Sequence, residues 1–141
     1  MLKGINPILT PDLLKILMEM GHGDEIVISD GNFPAASIAK NLIRLDGLNV
    51  PEVLDAILSV MPLDTYVESP VALMALSGND TEIPPIWAKY EEIVEKHQPG
   101  TKIENIERFD YYERAKKAYA VVYTTEQAIY ANILLKKGVV K

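Results

Sequence analysis

Gly21-His22-Gly23-Asp24-Glu25-Ile26-Val27-Ile28-Ser29-Asp30 sets a histidine between two glycines, then runs into a short apolar segment that ends on an aspartate. The β-branched stretch Glu25 to Ser29, bounded by charged and turn residues, reads as a buried strand. Upstream, Thr10-Pro11-Asp12 supplies an N-cap, a proline at the first helical position and an acid in the first turn. Leu13, Leu14, Leu17, Met18 and Met20 then form an apolar stripe that stops at Gly21, so a helix leads into the strand. Downstream, Asp30-Gly31-Asn32-Phe33-Pro34 is the loop leaving the strand's C-terminal end, a favoured ligand position in α/β sheets.

The alternation continues along the chain. Asn41 to Leu45 reads as a strand, and Asn49-Val50-Pro51-Glu52 opens a helix whose Val53, Leu54, Ile57, Leu58 and Met61 recur at helical spacing until Pro62. Val71 to Leu76 is a continuous apolar run suited to a central strand. Pro84-Pro85 introduces a surface helix over Ile86 to Lys96, followed by a short strand at Ile103 to Ile106 and a charged amphipathic helix over Asp110 to Lys117. Strands at Tyr119 to Thr124 and Asn132 to Leu135 close the pattern. The expectation is an α/β fold: a single three-layer α/β/α domain over residues 1–141 with a central mixed sheet.

Composition narrows the function. In 141 residues, 48% hydrophobic content is enough for one sizeable core. A net charge of −6, with dispersed basic residues, argues against nucleic acid as a partner. The chain has no cysteine and only two distant histidines, His22 and His97, so no metal site is assigned. The N-terminus lacks the apolar run of a signal peptide and nothing approaches a membrane span, which points to the cytoplasm. Patterns for nucleotide, serine-hydrolase and calcium sites are absent.

Polar residues at the ends of apolar segments are the best candidates for chemistry, because strand ends converge in space. His22, Asp30, Arg108, Tyr130 and Asn132 pass this filter. They supply an acid/base, an acceptor, a cationic donor, a phenol and an amide, a set suited to a neutral polyhydroxylated ligand. Each has an ordinary reading as well. His22 fits a loop after a helix, Asp30 an Asx-turn, Arg108 a surface pair with Glu104 or Glu107, Tyr130 a packing residue and Asn132 a turn cap. Trp87 fits either a subunit interface or a lid on the core, Tyr111, Tyr112 and Tyr119 fit the core, and His97 fits a helix C-terminus.

The chain resembles the family of ribose pyranases and L-fucose mutarotases (RbsD/FucU), especially its fucose branch. The resemblance rests on Leu2-Lys3-Gly4-Ile5-Asn6-Pro7, Met20 to Ile26, Ser29-Asp30, Phe33-Pro34-Ala35, Asp46-Gly47, Arg108-Phe109, Tyr112-Glu113-Arg114-Ala115 and Tyr130 to Val139, and so runs from end to end. It implies His22 as the catalytic proton donor, and Asp30, Arg108 and the segment Tyr130-Ala131-Asn132 as sugar-binding residues. It also implies a cofactor-free isomerase of a free monosaccharide, L-fucose with D-ribose as the second candidate, in a ring of subunits with the sugar near a subunit boundary. Asn32 and Ala36 stand where the fucose branch commonly has histidines, and Ala131 where it often has glycine.

Anomer exchange needs a proton delivered to the ring oxygen and another removed from the anomeric hydroxyl. His22 is the expected donor, with Asp30 orienting its imidazole or accepting from a hydroxyl, while Arg108, Tyr130 and Asn132 hold the sugar; the base is open, with Tyr112 an outside candidate. A non-catalytic monosaccharide-binding or transport-accessory protein, and a purely structural oligomer, are the rival classes.

Overall fold

The computed structural model describes residues 1–141. Helix α1 (Pro11–Glu19) begins as its sequence predicts, with the Thr10 hydroxyl accepting from the Leu13 amide at 3.2 Å, and buries Leu13, Ile16 and Leu17. It is followed by β1 (Glu25–Ser29), α2 (Ala35–Ile38), β2 (Leu42–Leu45), α3 (Val50–Leu58), β3 (Val71–Met74), α4 (Ile86–His97), β4 (Ile103–Ile106), α5 (Arg108–Lys117), β5 (Ala120–Thr124) and β6 (Ile133–Lys136). One turn of helix, α2, was not expected; it is four residues long, too short to carry a periodic stripe. Helix α5 starts at Arg108 rather than Asp110 because the Glu107 carboxylate accepts from the Phe109 and Asp110 amides.

The six strands form one sheet in the order β2-β5-β1-β6-β3-β4. Neighbours β2, β5 and β1 are parallel, as are β3 and β4, whereas β6 lies antiparallel to both β1 and β3. The sheet is therefore mixed through one central reversed strand. Alternating side chains feed two cores, as the period-two geometry of strands requires. Ile26, Ile28, Val71, Leu73, Ala120, Val122, Ile133 and Leu135 pack with α1, α3 and α4 on one face. Val27, Ala72, Val121 and Leu134 pack with α2 and α5 on the other. These are the three layers expected.

The reversal of β6 decides where function can sit. Chain segments leaving β1, β3, β4 and β5 at their C-terminal ends gather at one edge, and the segment entering β6 arrives at the same edge. At the opposite edge, the Gly23 amide donates to the Lys137 carbonyl (2.8 Å), the Lys137 amide to the Asp24 carbonyl (2.9 Å) and the Asp64 amide to the Lys136 carbonyl (3.0 Å). Leu63 and Lys137 form a further antiparallel bridge. The His22 turn and the Leu63-Asp64 segment are thus both fixed to the end of β6. His97 also has a structural partner: its Nε2 lies 2.7 Å from Asp55 Oδ1, tying α4 to α3. No helix is long and apolar enough to cross a membrane.

Gly138 marks a close approach at this edge. A Cβ there would meet the Leu63 carbonyl oxygen at 2.5 Å, a backbone atom that cannot swing aside. Gly138→Ala is expected to destabilise the fold by about 1–3 kcal/mol, the usual range for forced overpacking. Denaturant unfolding measures this, and ring-proton shifts of His22 should move with it because the displaced backbone carries Asp64.

Candidate active site

A cleft of about 350 Å³ opens at the edge where the strand ends gather, lined by Asp30, Asn32, Phe33, Met74, Ser77, Asp80, Arg108, Tyr112, Ile129, Tyr130 and Asn132. This volume falls at the small end of ligand pockets, roughly 300–1,000 Å³. A wider groove of 780 Å³ adjoins it across Ile129 but contains none of the predicted site residues, so the smaller cleft is the candidate. Four of the residues singled out from sequence, Asp30, Arg108, Tyr130 and Asn132, line it together.

Asp30 follows β1 directly and is buried. Its amide donates to Asn132 Oδ1 at 2.8 Å, which makes Asn132 a bridge from β6 to β1 rather than a cap on its own turn. Its carboxylate accepts from the Asn32 amide at 3.0 Å. Burial raises the Asp30 pKa above the ordinary carboxylate value, while bonds from the Asn32, Ala131 and Phe33 amides work in the other direction. The next residue packs tightly as well: the Gly31 amide donates to the Glu126 carbonyl at 2.9 Å, and a Cβ on Gly31 would lie 3.3 Å from that oxygen.

Tyr130 is the one non-glycine residue with positive φ, at 54°. Such a conformation is uncommon for a bulky residue and persists only where the surroundings hold it. Helix α4 does so. The Trp87 indole N–H donates to the Tyr130 carbonyl at 2.8 Å, and the buried Tyr90 hydroxyl donates to the Ala131 carbonyl at 2.6 Å. Residues three apart share a helix face, so two aromatic donors grip consecutive carbonyls of the segment Tyr130-Ala131-Asn132. Trp87, half-buried against the larger core, is thus a brace for this segment. The Tyr130 phenol reaches the loop after β3, where it meets Ser77 and Asp80.

Arg108 opens α5 with its guanidinium over the rings of Phe109 (5.5 Å) and Tyr112 (5.7 Å). Neither expected surface partner engages it: Arg114 takes Glu104 at 3.0 Å, and Glu107 is spent on the α5 cap. The cation is held by aromatic faces and its donors stay available to a ligand. Of the three tyrosines, Tyr111 is fully buried, Tyr119 donates to Glu19 at the surface, and Tyr112 lines the cleft.

His22 does not join this group. It sits at the opposite edge of the sheet, separated from Asp30 by the five residues of β1, or roughly 17 Å at about 3.3 Å per residue. The expectation that Asp30 orients its imidazole is corrected: the partner is Asp64, whose Oδ1 lies 2.9 Å from His22 Nε2. The reason is directional, since strand ends converge only at a common edge of the sheet and His22 precedes the strand that Asp30 follows. Asp64 is buried, and its pKa is held below the ordinary value, first by the Tyr66 amide and then by His22. An ionised Asp64 can only accept, so Nε2 carries hydrogen and Nδ1 is left to exchange a proton. The His22 side chain remains 45% exposed and lies against the Tyr66 ring at 5.2 Å.

Sequence reasoning missed Ser77 and Asp80. Ser77-Gly78-Asn79-Asp80 is turn sequence directly after an apolar strand, the same signal that selected Asp30.

A profile of the RbsD / FucU transport protein family matches residues 3–140. The chain belongs to that family. It is 51% identical to human (Homo sapiens) fucose mutarotase over 98% of this chain and 94% of the human protein. The crystal structure of the fucose mutarotase from Streptococcus pneumoniae in complex with L-fucose superposes with a TM-score of 0.94, at 55% identity, covering 99% of this chain and all of that one. Bacillus subtilis RbsD complexed with D-ribose is more distant, at 27% identity and a TM-score of 0.74 over the full length of both chains. The superposition with the Streptococcus pneumoniae enzyme shows that the two chains share this α/β architecture.

Two stability effects follow. Because the folded state raises the Asp30 pKa, the folded protein holds that proton to higher pH than the unfolded chain; the ionised carboxylate is a net cost above the folded pKa, relieved as pH falls through it. Asp30→Asn keeps an acceptor for Asn32 and removes the charge, so the thermal midpoint at pH 7 should rise by on the order of a few °C. The gain should shrink as the pH is lowered, as thermal scans across pH would show. Tyr90→Phe leaves the buried Ala131 carbonyl without its donor and should cost about 1–3 kcal/mol in denaturant unfolding.

Proposed function

We propose that this protein is an L-fucose mutarotase, an isomerase that interconverts the α and β anomers of a free monosaccharide by acid/base-catalysed ring opening, with D-ribose as a second candidate sugar. The observation that carries the reading is the convergence of Asp30, Arg108, Tyr130 and Asn132 in one small cleft, in a chain half identical to proteins named fucose mutarotase. A sugar hydroxyl both donates and accepts. Arg108 offers donors, the Asp30 carboxylate an acceptor, and the Tyr130-Ala131-Asn132 segment both kinds of group. The whole chain acts as one mutarotase domain.

Ring opening requires a proton on the ring oxygen as the bond to the anomeric carbon breaks. His22 is the residue we assign to this step, through Nδ1, with Asp64 holding the ring by Nε2. Since His22 and the cleft lie at opposite edges of the sheet, the His22 of one subunit must serve the cleft of its neighbour. The apolar surface supports such an arrangement. Tyr66 and Val140 are exposed in the half of the molecule that carries His22, while Ile83, Phe109 and Ile129 are exposed near the cleft. Unlike ends that meet head to tail build a ring where the rotation between copies closes. A positioned acid/base pair supplies ~10²- to 10⁴-fold, sufficient for a reaction that already proceeds slowly in water.

Magnetisation exchange between the anomeric protons of L-fucose, and separately of D-ribose, tests the activity. Wild type should accelerate exchange of L-fucose, and His22→Ala and Asp30→Asn should each lose on the order of 10²-fold or more. Equimolar mutants refolded together should recover roughly a quarter of wild-type activity, the chance that an intact cleft meets an intact His22 across a heterologous contact. Absent recovery would sink the shared site. Sugar binding without any acceleration would replace the enzyme by a monosaccharide-binding protein.

A further inference from the structure

The cleft contains a second carboxylate, on a loop that the assignments above leave unused. Asp80 is exposed, six residues beyond Met74 at the end of β3, and accepts from the Tyr130 hydroxyl at its Oδ2. The Ser77 amide donates to the same phenol oxygen at 3.2 Å, and Ser77 Oγ lies 3.3 Å from it. These partners fix the polarity of the phenol. A backbone N–H can only donate and an ionised carboxylate can only accept, so the Tyr130 hydrogen is committed to Asp80 and its oxygen faces donors. One lone pair meets the Ser77 amide. The other is contested only by the Ser77 hydroxyl, which can rotate away, and is open to an O–H group in the cleft.

We propose that Tyr130 and Asp80 form a proton relay that acts as the base in anomer exchange, an inference that rests on the mutarotase reading of this cleft. The anomeric hydroxyl gives its proton to the Tyr130 oxygen while the Tyr130 proton passes to the Asp80 carboxylate. The O–H electron pair becomes the carbonyl bond of the open-chain sugar, and the pair from the broken bond to the ring oxygen receives the proton from His22. On reclosure the protons return along the same routes, so neither residue is changed and no co-reactant is required. Two features suit Tyr130 to the task. Its backbone is held in the left-handed region by the Trp87 indole, so the phenol direction is set before a sugar arrives. The neighbouring Asp30, by contrast, is buried and its carboxylate is engaged by backbone amides, which fits it to hold sugar hydroxyls.

The test compares Asp80→Asn, Tyr130→Phe and the double variant in anomer exchange of L-fucose, with sugar affinity measured by calorimetry and folding by thermal melting. Asp80→Asn should slow exchange by about 10²-fold at saturating sugar, while affinity changes far less. The double variant should be no slower than Tyr130→Phe, because the two groups act in series. Wild-type exchange in Asp80→Asn, a loss of affinity in place of rate, or losses that multiply in the double variant would each overturn the relay while leaving the mutarotase reading in place. A wild-type protein that exchanges neither L-fucose nor D-ribose removes both.

Discussion

The hydrogen bond from the Asp30 amide to the Asn132 side chain holds the two halves of this molecule's chemistry together. The antiparallel ladder between β1 and β6 pairs Ile28 with Ile133 and goes no further in that direction. Two residues beyond Ile28 the ladder has ended, and an unpaired buried amide at Asp30 would carry the penalty of any unsatisfied donor. The Asn132 amide group replaces the missing backbone acceptor. The strands can therefore part without leaving an orphan, and the carboxylate of Asp30 comes to rest on the cleft wall. An aliphatic side chain of similar volume at 132 would close this option.

Burial of Asp30 is unfavourable for the fold and is offset only in part by the amides that point at it. The same is true of Tyr130, whose backbone conformation is disfavoured in isolation and depends on α4. Both strained groups belong to segments that flank the reversed strand β6. Its middle is fully buried, with Ile133, Leu134 and Leu135 at zero exposure, one reaching each core in alternation. A rigid, doubly covered strand supplies the stability that these two sites draw on. The cleft is thus built where packing can tolerate a deficit, a distribution common at functional sites.

Much of this was legible in the sequence because the elements obey local rules. The Thr10-Pro11-Asp12 start, the Ile26-Val27-Ile28 strand and the Pro-introduced α4 appear where the residues place them. The cleft residues Asp30, Arg108, Tyr130 and Asn132 were found by the rule that strand ends converge. That rule has a direction. That the start of β6 reaches the C-terminal end of β1 depends on β6 being antiparallel, a consequence of tertiary pairing and not of any residue in the strand. His22, by contrast, precedes the strand that Asp30 follows, so the two lie at opposite ends of β1, and Asp64, forty-two residues from His22 in sequence, becomes its partner only because both segments are fixed to the end of β6. Asp80 was missed for a different reason: a turn aspartate has an ordinary explanation, and only the Tyr130 phenol distinguishes it.

The separation of the two edges has consequences for assembly. A two-fold contact confined to one end of the molecule would set His22 against His22 or cleft against cleft, and neither brings an imidazole to a sugar. On the proposed chemistry, a head-to-tail contact, in which the His22 edge of one copy meets the cleft edge of the next, unites donor and cleft. Contacts of that kind leave one free edge at each end until a ring closes, and an open chain would continue to grow. Ring closure then makes every site equivalent and leaves none incomplete. On the proposed chemistry, catalysis requires contact between copies: a lone subunit holds a sugar-sized cleft and a poised histidine, but has no means of applying one to the other.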